Sequence, residues 1–120
     1  MTVHEALDAH VIGQLDRLGR ASGQDLVGEL ATLFEADADA QVIEMHRALD
    51  KADAAAVARS AHNLSGASAT LGATDLAQLC ATLESQSAMG NLSNGEPLLE
   101  AVELELGLVH SAFAAHDSAA

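Results

Sequence analysis

Apolar residues in this chain recur at steps of three and four along five segments. That period admits a helix buried on one face and excludes the two-residue alternation of a half-buried strand. Leu7, Val11, Leu15 and Leu18 form the first such face, and Gly19 and Ser22-Gly23 then punctuate it. The second segment runs from about Asp25 to Leu49. Its stripe is Leu26, Leu30, Leu33, Met45 and Leu49, with Phe34, Gln41 and Val42 beside it. Glu35, Asp37, Asp39 and Glu44 fall largely off the stripe, as on a solvated face. The third runs from about Asp53 to Leu71 along Val57, Ala61, Leu64, Ser68 and Leu71. Asp53 is placed to cap its start and Gly72 to end it in the left-handed conformation. The fourth, from about Ala73 to Met89, turns Leu76, Leu79, Cys80 and Leu83 inward. Gly90-Asn91-Leu92-Ser93-Asn94-Gly95 is the clearest loop. The fifth starts around Pro97, carries Leu98, Val102, Val109 and Phe113 inward, and ends near His116, leaving a frayed tail from Asp117 to Ala120.

Composition agrees with an all-helical chain. Ala and Leu dominate, β-branched residues are sparse, and the only aromatic residues are Phe34 and Phe113. The 120 residues make a single domain. Four long amphipathic helices joined by short connections predict an up-down four-helix bundle, with the shorter first helix across one end or flank.

The net charge of −13 repels phosphate backbones and anionic lipid, so neither nucleic acid nor a membrane is an expected partner. Five cations stand against that background: Arg17, Arg20, Arg47, Lys51 and Arg59. No apolar run approaches the ~20 residues that span a bilayer, and Met1-Thr2-Val3-His4-Glu5 does not open a signal peptide. The expectation is a soluble cytoplasmic protein, or a soluble domain of a longer one. Cys80 is the only cysteine, which rules out an internal disulfide, and its position between Leu79 and Leu83 reads as a small buried apolar residue.

One histidine has an unusual setting. On the third helix His62 falls roughly 140° from the apolar seam, at 100° per residue. It therefore points outward. Its neighbours on that face are Ala55, Ala58, Arg59, Ser65, Gly66 and Ala69, all small except Arg59. Another protein can reach an imidazole on such a platform. Neutral imidazole is a good nucleophile near pH 7, and attack on a phosphoryl group gives an N–P bond that is easily passed on. Arg59, three residues back, and the hydroxyl of Ser65, three residues on, can hold phosphoryl oxygens. Gly66 leaves room for a partner's active site. His4, His10, His46, His110 and His116 are scattered without metal-ligand spacing. Ser60, Ser65 and Ser68 lie near His62, but no nucleophile-elbow motif accompanies them.

The segment from Ala61 to Glu84 resembles the histidine-containing phosphotransfer (HPt) domain of multistep two-component phosphorelays. The matching residues are Ala61, His62, Leu64, Gly66, Ser68, Leu71, Gly72 and Ala73, followed in register by Leu76, Leu79, Cys80, Leu83 and Glu84. One position departs: the family carries lysine where this chain has Ser65. The resemblance implies that His62 accepts a phosphoryl group from an aspartyl phosphate on a receiver domain, such as that of a hybrid histidine kinase, and passes it to another receiver. It implies Nε2 as the nitrogen used. It also implies that the receiver brings the Mg²⁺ and most catalytic groups. The domain would then be a monomeric carrier with no cofactor and no catalysis of its own. Arg59, Ser65, Gly66 and Ala69 would support the phosphoryl group and the docked receiver, with Val11, Leu15 and Leu18 extending the surface. Two other readings stay open. Loss of the lysine fits a degenerate HPt-like module that binds a receiver or kinase without transfer. A dimeric histidine-kinase bundle is disfavoured, because those kinases carry an acidic residue directly after the histidine and here Asn63 follows.

Overall fold

Three aspartates set where the first three helices begin. Asp8 accepts hydrogen bonds from the amides of His10 and Val11 and caps α1 (Ala9–Ser22). Asp25 accepts from Gly28 and caps α2 (Leu26–Asp50), and Asp53 accepts from Ala56 and caps α3 (Ala54–Thr70). Each bond satisfies an amide that the first helical turn leaves without a partner. α4 (Thr74–Ala88) follows after a short turn, and α5 (Gly95–Ala119) after the loop at 89–94. These elements come from a computed structural model that describes residues 5–119; the reading of Met1–His4 lies outside the described residues.

The described chain is all helix and contains no strand. Each of α2 to α5 packs against the next, and α5 closes the ring on α2, which gives the up-down four-helix bundle. α1 packs against α2. Its start is tied to the α3–α4 turn by a 2.7 Å bond from the Asp8 amide to the Gly72 carbonyl. Its middle meets the end of α5, where Asp16 Oδ1 lies 3.2 Å from His116 Nε2. α1 thus crosses the end of the bundle at which α2 starts and α3 and α5 finish. The core runs through Val27, Phe34, Met45, Val57, Leu64, Leu76, Leu83, Leu99, Val102 and Val109. The two aromatic rings, Phe34 and Phe113, meet tilted at a centroid distance of 6.2 Å, an arrangement aromatic pairs favour.

The sequence reading is off in four places. Gly19 does not end α1: the helix continues to Ser22, and Gly23 at φ 71° closes it, with the Gln24 amide returning to the Gly19 carbonyl. The first half of the α2 stripe is turned by one position, while Met45 is buried as expected. Val27, Ala31, Phe34 and Ala38 are buried, whereas Leu33 is 69% exposed. α2 contacts α1, α3 and α5 at once, and Ala31, Ala38 and Ala48 rather than leucines occupy its close approaches. Likewise Ile12, not Leu18, is the buried anchor of α1, and Leu18 is 61% exposed. α5 begins at Gly95, two residues before Pro97, and its backbone stays helical to Ala119, where a frayed tail was expected; Ala120 lies outside the described residues.

Gly72 combines two demands. Its φ is 76°, and a Cβ there would lie 2.9 Å from Val11 Cβ and 3.2 Å from Asp8 Cβ. Gly23 also has positive φ but has open space around it. Gly72→Ala is therefore expected to lower stability by roughly 2–3 kcal/mol and Gly23→Ala by about 1 kcal/mol. Urea unfolding of the two variants checks this, and equal losses would show that α1 does not press on the turn.

Candidate functional site

The platform forms as the spacing requires. Val57, Ser60, Ala61, Leu64 and Ser68 of α3 are buried against the bundle, while Ala55, Arg59, His62, Asn63, Gly66 and Ala69 are exposed. Ala58 and Ser65 are half-buried at its edges. The His62 side chain is 72% exposed and lines a shallow groove with Ala58, Arg59, Asn63 and Glu84.

Glu84 completes the site from α4. Its Oε2 lies 2.9 Å from His62 Nδ1. An ionised carboxylate can only accept, so the imidazole proton belongs on Nδ1, and Nε2 keeps its lone pair toward solvent. A pair this exposed contributes about 0.2–1 kcal/mol, too little to matter for the fold. Its consequence is orientation and tautomer. Among the described residues two other histidines face carboxylates, and both do so through the opposite nitrogen: His46 Nε2 meets Glu103 and His116 Nε2 meets Asp16. Their side chains are also less exposed, at 50% and 30%. Among these three His–carboxylate pairs, only that of His62 leaves the outer nitrogen free.

The hydroxyls near His62 face elsewhere. Ser60 and Ser68 are on the core side. Ser65 Oγ donates to the Ala77 carbonyl of α4 at 3.0 Å, which commits its hydrogen across the helix pair. Among the described residues no serine bonds to the imidazole, so a His–carboxylate pair is present without a serine for it to activate. The nucleophile this arrangement offers is the imidazole itself. Cys80 is fully buried, and burial pushes its thiol up to about 12, which leaves it protonated and inert.

Charge is sparse here. Of 18 acidic and 5 basic residues, the stretch from Ala54 to Ala88 holds only Asp75, Glu84 and Arg59. The stretch bearing His62 is therefore nearly neutral on a strongly anionic protein. Arg59 forms no ion pair with a described residue, whereas Arg47 lies 3.7 Å from Glu44. No group of three or more His, Cys, Asp or Glu suited to a metal occurs among the described residues, and no helix among them is long and apolar enough to cross a membrane.

Glu84 is the member of this site that spacing alone missed. It lies 22 residues from His62 on another helix, and its only sequence signal was its place in the resemblance.

Comparison with known proteins agrees with this geometry. The family model for the Hpt domain matches residues 29–112. A crystal structure of histidine-containing phosphotransfer protein B (HptB) from Pseudomonas aeruginosa PAO1 superposes with a TM-score of 0.88. It is 27% identical, and the match covers 98% of this chain and 99% of that one. No curated protein matches the chain.

Gly66 has no structural reason to be glycine. It sits inside α3, and a Cβ there meets nothing within 4 Å. Gly66→Ala is expected to raise stability by about 0.5–1 kcal/mol through helix propensity. Thermal or urea unfolding checks this, and a loss of stability would reveal a packing constraint at the platform.

Proposed function

The chain belongs to the Hpt domain family, whose members are phosphocarriers of signalling relays, and from that premise we propose that His62 is its phosphoryl acceptor. The observation that carries the proposal is the free outer nitrogen: Glu84 occupies Nδ1, and Nε2 faces solvent on an exposed, nearly neutral platform.

The transfer follows from that arrangement. The Nε2 lone pair attacks the phosphorus of a receiver's aspartyl phosphate. The N–P bond forms as the P–O bond to the aspartate breaks, and the aspartate carboxylate leaves with the electron pair. The Nδ1 proton stays in place. The ring gains positive charge as Nε2 is substituted, and the Glu84 carboxylate at Nδ1 stabilises that charge. Return of the phosphoryl group to a second receiver reverses these steps. The receiver supplies the metal ion and the remaining catalytic groups, so this chain acts as carrier rather than enzyme.

The docking surface proposed for the receiver is centred on His62 and includes Arg59, Ser65, Gly66 and Ala69. The exposed Leu18 of α1 is proposed to extend it. The glycine that α3 keeps at a cost in helix stability is accounted for if a partner's surface closes over it. Because Ser65 stands where the family has lysine, a module that binds receivers without transfer is the second reading, and the Ser65–Ala77 bond favours it by turning the hydroxyl away from the imidazole.

Incubation with a panel of phosphorylated receiver domains and Mg²⁺ separates the two. Wild type is expected to take up an acid-labile, base-stable label that His62→Gln lacks; receiver binding without label would establish the second reading. Gly66→Arg, which projects into open space, is expected to keep the fold and weaken receiver binding at least tenfold, since a bulky charge is placed inside the contact. Unchanged affinity would remove Gly66 from the docking surface. Glu84→Gln keeps a hydrogen-bond acceptor at Nδ1 but loses the charge, and is expected to slow labelling by about tenfold, the size of one charge-assisted bond. An unchanged labelling rate would confine Glu84 to a structural role.

A further inference from the structure

A phosphoryl group on Nε2 brings about two negative charges to a site that already holds the Glu84 carboxylate, on a protein of net charge −13. Something must offset that charge while the group is carried between partners, when no receiver is present to do so. The hydroxyl one turn on does not supply it, since Ser65 Oγ donates to the Ala77 carbonyl. The amide-bearing Asn63 is uncharged. Arg59 is the sole Lys or Arg in the whole span of α3 and α4. Its side chain lines the groove that His62 and Glu84 line, on the side of the preceding turn, and it forms no ion pair with a described carboxylate. Ala58, which shares the groove, has only a methyl group to fill the space between the arginine and the imidazole's side of the helix.

The geometry points to Arg59 as the residue that binds the carried phosphoryl group, approaching from the N-terminal side of His62. This rests on the carrier reading above and adds to it a specific counter-charge. A guanidinium presents two parallel donors to two phosphoryl oxygens, which a serine hydroxyl cannot do. Arg59 acts on the phosphorylated state. It therefore sets how the phosphoryl group is shared at equilibrium between His62 and a receiver aspartate, and how long the phosphohistidine lasts once the receiver is removed.

The test uses the full chain and one phosphorylated receiver that labels it. The label on His62 and on the receiver is measured at equilibrium over a series of salt concentrations, together with the decay of purified phosphohistidine. Arg59→Ala is expected to shift the distribution toward the receiver by about fivefold, in the range of an exposed charge pair, and to flatten its salt dependence. Arg59→Lys should recover part of the shift. Arg59→Ala combined with Ser65→Lys, which returns a cation one turn on the other side of His62, should recover most of it. Circular dichroism confirms that the variants fold. A distribution, salt slope and decay rate unchanged in Arg59→Ala would overturn the assignment while leaving His62 as acceptor. A loss that neither lysine variant restores would also overturn it, by marking the arginine as a docking contact alone. Absence of label on wild type, or label retained in His62→Gln, would instead bring down the carrier reading and this inference with it.

Discussion

The packing of α3 on α4 is the constraint on which the rest of this molecule depends. Ala61, Leu64, Ser68 and Leu71 meet Leu76, Cys80 and Leu83 in a seam with no exposed member. Small residues let the two backbones come close, and Ser65 bonds directly to the Ala77 carbonyl. That closeness brings Glu84 within 2.9 Å of His62 Nδ1 across two helices. The turn that joins them is fixed by Gly72, whose left-handed backbone and missing side chain also seat the start of α1. One packing arrangement thus sets the tautomer of the imidazole, the direction of its free nitrogen and the position of the N-terminal helix.

Much of this was legible in the sequence, for reasons that can be named. On α3 and α4 the residues of the apolar seam are themselves the buried ones, so the periodicity reads directly as burial. Val57, Ala61 and Leu64 are buried and His62 is exposed, as the 100° spacing requires. Asp53 and Gly72 act as cap and stop because both roles are local. α2 was misread because it has three neighbours. With helices on several sides, the close contacts fall to alanine, and Leu33, the expected core residue, is left outside. The reach of α1 to Ser22 was hidden for a related reason: Gly19 serves a close approach to Gln24 rather than a chain break. Glu84 was out of reach of any spacing argument, since its pairing is tertiary.

The distribution of charge separates the working face from the rest. Acidic residues crowd α2 and α5, while the stretch bearing His62 carries one cation and two carboxylates. Long-range repulsion from the remainder disfavours anionic partners, and the nearly neutral platform is where the proposed receiver would dock. The other two His–carboxylate pairs, at His46 and His116, tie α2 to α5 and α1 to α5. They use the outer ring nitrogen for structure. His62 uses the inner one, which leaves the outer one free for the proposed transfer.

The central claim is therefore about a single atom. It is tested most directly by ¹⁵N–³¹P correlation spectroscopy of the chain after phosphorylation by a receiver, with histidine nitrogens labelled. The account predicts a phosphorus coupling to Nε2 of His62, with Nδ1 still protonated. Coupling to Nδ1, or to another histidine, would contradict it, because the Glu84 contact would then have to break for the phosphoryl group to be carried.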